Sequence, residues 1–236
     1  MALGKPDPRY THGNKAKANF RLAIKTSFLF LALLWLVFIL DTLFGLNLNR
    51  FGLRPGSVAG LIGVLTVPLL HGNLSHIFSN SMSLVVSMTA ILYLYPNSST
   101  RVIPIVWLGS GLLAWLIGRP SLHFGASGLV YGLLGYVFFS GILRRDMRSI
   151  SVSLLIGFLY GSMVWGVLPI RPHMSWELHL SGAIIGVLLA FVFRKWDRVP
   201  VIRYEWEEDD SLPEWYPDER SENPAVADDR PEDFPK

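Results

Sequence analysis

Cysteine is absent from the sequence. That excludes disulfides and thiolate chemistry. Carboxylates are scarce where the chain is apolar. Residues 1–202 hold five Asp/Glu, and Asp41 alone lies near the interior of an apolar run. A pair of aspartates sharing a proton cannot be assembled from that set. No His-Glu-x-x-His string occurs, so the helical zinc site of that class is excluded too. Charge is sparse overall, at 17 % of residues against 51 % apolar, and the mean hydropathy is +0.38.

What is present comes in long apolar blocks. Runs of about 17–25 apolar residues read as membrane spans. Six stand out, at roughly 25–46, 77–95, 102–118, 127–143, 150–169 and 178–194. This predicts an all-α membrane protein in three parts: a basic lead-in (1–24), a six-span domain (25–198) and an acidic tail (199–236). The basic start runs straight into the first span without a small-residue cleavage site, which reads as a signal anchor. Between the first two spans lies SVAGLIGVLTVPLL (57–70). It is too short to cross and too apolar for a solvated loop, so it is expected to be partly embedded.

Charge is divided along the chain. Residues 1–202 carry 17 Lys/Arg against 5 Asp/Glu, and residues 203–236 carry 4 against 13. With the N-terminus inside, thirteen basic residues fall on the inner side and four, Arg50, Arg54, Arg119 and Arg171, on the outer. The positive-inside rule then puts both termini in the cytoplasm. The tail, with thirteen acidic residues and five prolines, reads as a solvated, disordered segment.

Helix rise turns spacing into depth. Ser127 is seventeen residues from Arg144, about 25 Å; His179 is fifteen from Arg194, about 23 Å; Asn80 is sixteen from Pro96, about 24 Å. Three polar groups on three spans thus share one level, a few ångströms below the outer surface of a core about 30 Å thick. His76 lies one turn further out, on the face of Asn80. Polar groups at such depth usually face the bundle interior. The pairs Gly128/Gly132 and Gly182/Gly186 allow close approach of the Ser127 and His179 helices. Tyr131, one turn beyond Ser127, could line the same cavity.

These groups allow nucleophilic chemistry. A hydroxyl needs a base, and neutral histidine is the usual one. Oxyanion donors are available in the backbone N–H groups at the start of the Ser127 helix, in Asn80 and in His76. Gly125, Ala126 and Gly128 leave room beside the serine. With no carboxylate at that level, the arrangement is a dyad, and Glu177 falls on another face. Taken singly, each feature reads as structure. A serine among glycines is a packing motif, and His123 and His173 read as structural or solvent-facing loop residues. His71 reads as a loop-holding hydrogen bonder. Only the three helices together carry the chemical reading.

Three stretches carry a family likeness: HGNLSHIFSN (71–80), GASGLVYGLLGY (125–136) and HLSGAIIG (179–186). Through them the chain resembles the rhomboid intramembrane serine proteases of the compact six-span bacterial type. The resemblance spans about residues 25–195. It implies Ser127 as nucleophile, His179 as general base, and His76, Asn80 and the Ser127 N–H as oxyanion hole. It further implies His71 as a structural histidine and Tyr131 stacked on the catalytic histidine. It implies cleavage of transmembrane protein substrates near the outer face of a bacterial cytoplasmic membrane. No cofactor, metal or nucleic acid is expected. The first-loop Trp-Arg pair of many members is missing here, which leaves Arg50 and Arg54 as candidate anchors. Phe124 and residues 170–177, with Trp176, are expected to cap the site. The alternative within the fold is an inactive, client-binding relative, a class that typically lacks the serine or histidine. A transporter is disfavoured because no internal repeat is seen. A membrane acyltransferase or esterase would use the same pair.

Overall fold

In lipid, apolar runs of this length satisfy their backbone groups only as helices or closed barrels. The computed structural model describes residues 13–144, 146–170 and 174–197. Its helices are α1 (Gly13–Phe44), α2 (Ile62–Thr66), α3 (Leu74–Leu94), α4 (Pro96–Ile117), α5 (Ser127–Arg144), α6 (Met147–Tyr160) and α7 (Trp176–Val192). Among the described residues the only extended pairing is an isolated bridge between Leu53 and His123. Five segments are long and apolar enough to cross a membrane, and α7 is an apolar helix of 17 residues. The chain is therefore an all-α, multi-pass membrane bundle. The acidic tail and His173 lie outside the described residues.

Two boundaries differ from the hydropathy reading. The first helix starts at Gly13, twelve residues before its apolar run. The fifth span does not remain α-helical to 169. It changes at Gly161 into a 3₁₀ segment, Gly161–Val167. Hydropathy registers composition and not hydrogen-bond pattern, so this change is invisible to it.

The segment between α1 and α3 is folded against the bundle. It is helical in short pieces from Val58 to Leu69. Two indoles of α4 hold it: Trp107 Nε1 donates to Leu65 O at 3.0 Å and Trp115 Nε1 to Ser57 O at 2.9 Å. Its start is tied to the α4–α5 loop by reciprocal backbone bonds between Leu53 and His123, at 2.8 and 2.9 Å. Arg50 does not supply the anchor; its guanidinium lies over its neighbour Phe51.

Helices α5 and α7 are the most closely packed pair. A Cβ on Gly182 would fall on the carbonyl oxygen of Gly128, and one on Gly186 on that of Gly132. The two glycine pairs thus set one register along both helices. In lipid, where apolar burial gives no preference for helix over tail, such backbone contact drives association. The register carries Ser127, next to Gly128, and His179, three residues before Gly182, to one level.

The far end is fixed by polar contacts. Asp197 accepts hydrogen bonds from Asn97 N (2.6 Å), Ser98 N (2.9 Å) and Ser98 Oγ (2.7 Å), capping α4. Tyr136 OH donates to Ser98 Oγ at 2.8 Å, which ties α5 to the same cap.

Two outcomes are expected. Gly182→Val should force α5 and α7 apart and lower the unfolding temperature in detergent by the equivalent of about 1–3 kcal/mol. Asp197→Ala should cost about 0.5–2 kcal/mol in the same measurement through loss of the cap.

Candidate active site

The N-termini of α3, α5 and α7 converge. His179 Nε2 lies 2.8 Å from Ser127 Oγ. The other ring nitrogen, Nδ1, lies 2.9 Å from Gly166 O. A carbonyl oxygen can only accept, so Nδ1 carries the proton and Nε2 presents its lone pair to the hydroxyl. Both side chains are buried, at 7 % and 6 % exposure.

Tyr131 completes the setting of the imidazole. Its ring stacks on His179 with centroids 4.3 Å apart and planes 9° from parallel. Its hydroxyl donates to Met163 O at 2.8 Å. Met163 and Gly166 both belong to the 3₁₀ segment after α6. Gly166 has no room for a side chain, since a Cβ there would fall on the Tyr131 hydroxyl oxygen. The irregular turn therefore exposes two main-chain acceptors that hold the histidine and its stacking partner. These two residues were not found by sequence reasoning. The available signal was Gly161 and Gly166 interrupting an apolar span.

The third wall comes from α3 and the loop before it. Asn80 Nδ2 donates to His71 Nε2 at 3.1 Å, which leaves the second amide hydrogen free to act elsewhere. The Ala126 N–H points to the same His71 nitrogen at 3.5 Å. His71 is buried at 3 % exposure and stands behind both the Asn80 amide and the loop that enters α5. Gly125, at φ 122°, occupies a region that L side chains rarely adopt. A Cβ there would lie 2.6 Å from the His76 ring and 3.7 Å from Asn80 Nδ2. Glycine thus lets this backbone pass between the His76 ring and the first turn of α5. The Ser127 N–H belongs to that first turn, where backbone donors have no helical acceptor.

A cavity of about 1200 Å³ joins these groups, lined by His76, Asn80, Ser127, Tyr131 and His179 among others. Phe124, Met174 and Ser175 also line it, in keeping with the expected cap; Trp176 does not. His123 stands outside. It is buried, donates from Nε2 to Arg119 O at 3.2 Å, and its Nδ1 is 3.0 Å from Ser175 Oγ. It is a structural residue of the loop above the site.

The start of α7 is held by an ion pair that composition alone did not reveal. Glu177 is fully buried and meets Arg119, whose Nε is 2.5 Å from Oε1. Arg119 Nη2 also donates to Met174 O at 2.9 Å. The pair fastens the α4–α5 loop to the first turn of α7, two residues from His179. Glu177 does not reach the imidazole through any hydrogen bond, as its position two residues away implied.

Sequence comparison identifies the family. The Rhomboid domain matches residues 58–196. The chain belongs to the rhomboid family. It is 36 % identical over 172 residues to the Mycobacterium tuberculosis protein named "Uncharacterized protein Rv1337", covering 69 % of this chain and 72 % of that one. It is 30 % identical over 177 residues to the Bacillus subtilis "Putative rhomboid protease YdcA", covering 68 % and 83 %. It is 27 % identical over 133 residues to the Arabidopsis thaliana "RHOMBOID-like protein 1", covering 52 % and 32 %.

Arg119→Ala should leave a buried carboxylate without its main partner. We expect a loss of about 1–3 kcal/mol, read as a lower unfolding temperature in detergent.

Proposed function

We propose that this rhomboid-family protein is an intramembrane serine endopeptidase that cleaves transmembrane protein substrates near the outer face of the membrane. The observation that carries the reading is the 2.8 Å contact of Ser127 Oγ with His179 Nε2, whose opposite nitrogen is committed to Gly166 O. In the proposed reaction Nε2 takes the hydroxyl proton as Oγ attacks the scissile carbonyl. The imidazolium then returns the proton to the leaving amine, and an acyl-enzyme remains. Water, deprotonated by the same nitrogen, hydrolyses it. The developing oxyanion is met by donors of three kinds: the free hydrogen of the Asn80 amide, the His76 ring and the Ser127 backbone N–H. These groups supply nucleophile, base and anion stabilisation, so the mechanism calls on no metal or cofactor.

The dyad lies near one end of the bundle, at the level where α3, α5 and α7 begin. The excess of basic residues on one side supports cytoplasmic termini, and with that orientation the site faces the outer surface of a bacterial cytoplasmic membrane. A substrate helix entering there would have to unwind, because only an extended backbone can present a carbonyl to Ser127.

The test is cleavage of a fluorogenic single-span substrate in detergent. Ser127→Ala and His179→Ala should each abolish cleavage while keeping the parent's helical content and monodispersity. Asn80→Ala should lose about 10²–10³ in kcat. Absence of cleavage across a substrate panel, together with no fluorophosphonate labelling of Ser127 in folded protein, would sink the reading in favour of a client-binding relative. Labelling without cleavage would point to an esterase or acyltransferase.

A further inference from the structure

A second cavity, of about 400 Å³, lies between α1, α3 and α6. It begins beside Arg148, at the end of the bundle opposite Ser127, runs along α6 as far as Leu159, and shares no lining residue with the first cavity. Its walls are apolar: Phe20 and Ile24 from α1, Val86 and Ala90 from α3, Val152 and Ile156 from α6. Two lining residues carry hydroxyls, Thr89 and Tyr93; that of Thr89 is committed, donating to Ser27 Oγ at 3.0 Å. At its mouth sits Arg148, half-buried, with its guanidinium 4.4 Å from the centre of the Tyr93 ring. Phe20 packs edge-on against the same ring at 5.5 Å.

Charge at the mouth is of one sign. Lys17 is exposed and stands three residues before Phe20 and seven before Ile24, on the same stripe of α1. Among the described residues no carboxylate lines the cavity. The nearest in sequence, Asp146, accepts from Ser149 N at 2.9 Å and is spent on the cap of α6.

We propose that this groove is a binding site for an anionic phospholipid, one acyl chain in the slot and the phosphate between Arg148 and Lys17. Length and volume fit that occupant. From Arg148 to Leu159 is eleven residues, about 16 Å along α6, close to half of a hydrocarbon core about 30 Å thick. The slot is thus one leaflet deep, with its cations at headgroup level. A helix 10 Å across would displace about 1,250 Å³ over that length, some three times the space present. The slot therefore encloses a single chain but not a transmembrane helix. The cation at the mouth adds a preference for an anionic headgroup, as basic residues at a membrane surface do.

The experiment is native mass spectrometry of the full chain in detergent, titrated with equimolar palmitoyl-oleoyl phosphatidylglycerol and phosphatidylcholine. It is independent of proteolysis and stands or falls separately from the proposed activity. The parent should retain phosphatidylglycerol about fivefold or more over phosphatidylcholine. Arg148→Gln should lose that preference while still holding lipid, and Ala90→Phe, which fills the slot, should hold neither. Glycerol phosphate, the headgroup without chains, should not compete. Equal retention of the two lipids by the parent, or unchanged preference in Arg148→Gln, would overturn the proposal. So would competition by glycerol phosphate, which would make the site a simple anion site. Displacement of the lipid from the parent by a single-span peptide would overturn it too, and would assign the groove to a helix. If Ala90→Phe does not fold, Arg148→Gln decides alone.

Discussion

The close contact of α5 with α7 is the constraint on which the site depends. Two carbonyls of one helix occupy the space where two side chains of the other would be. That contact works like a ratchet, because shifting either helix by one residue would bring a side chain against a backbone. Its consequence is chemical. Ser127 precedes Gly128 and His179 stands one turn before Gly182, so the separation of their backbones follows from the fit of two helices. Catalytic geometry must hold to within a fraction of an ångström, and packed helices provide that stiffness more readily than connecting segments.

The irregular parts supply what the helices cannot. A regular helix in lipid has no spare carbonyls in its interior, because each accepts from a residue four positions on. The 3₁₀ segment after α6 changes that pattern and presents Met163 O and Gly166 O to side chains of α5 and α7. The α4–α5 loop is likewise fixed from both sides, by Leu53 below and by Glu177 and Ser175 beside it. The two freed carbonyls and the buried His123 ring each have a partner, as a low-dielectric surrounding requires.

Much of this was legible in the sequence. The number of apolar blocks, the common depth of Ser127, His179 and Asn80, and the two glycine pairs all follow from composition and helix rise. The bundle and the meeting of the three motifs agree with that reading. What was illegible has two physical sources. Hydropathy does not distinguish an α-helix from a 3₁₀ turn of the same composition, so Gly166 and Met163 stayed hidden within a span. Long-range pairs between loops have no local signature either. Arg119 and Glu177 are 58 positions apart, and each by itself reads as a membrane-surface charge. The same applies to Trp107 and Trp115, whose indole hydrogens hold the embedded segment where the family resemblance had pointed to arginines.

Gly166 carries a further consequence. The group that holds the imidazole is a main-chain oxygen, so no point substitution can delete it as an aspartate could be deleted. It is also uncharged. A carboxylate in that position would have to be stripped of water within an apolar bundle, at a cost of several kcal/mol, and it would favour permanent protonation of the ring. A neutral acceptor avoids both penalties and keeps the ring available as a base. In the proposed reaction it gives less support to the cation that forms once the proton is taken. Under that proposal the fold exchanges catalytic driving force for compatibility with the lipid in which it sits.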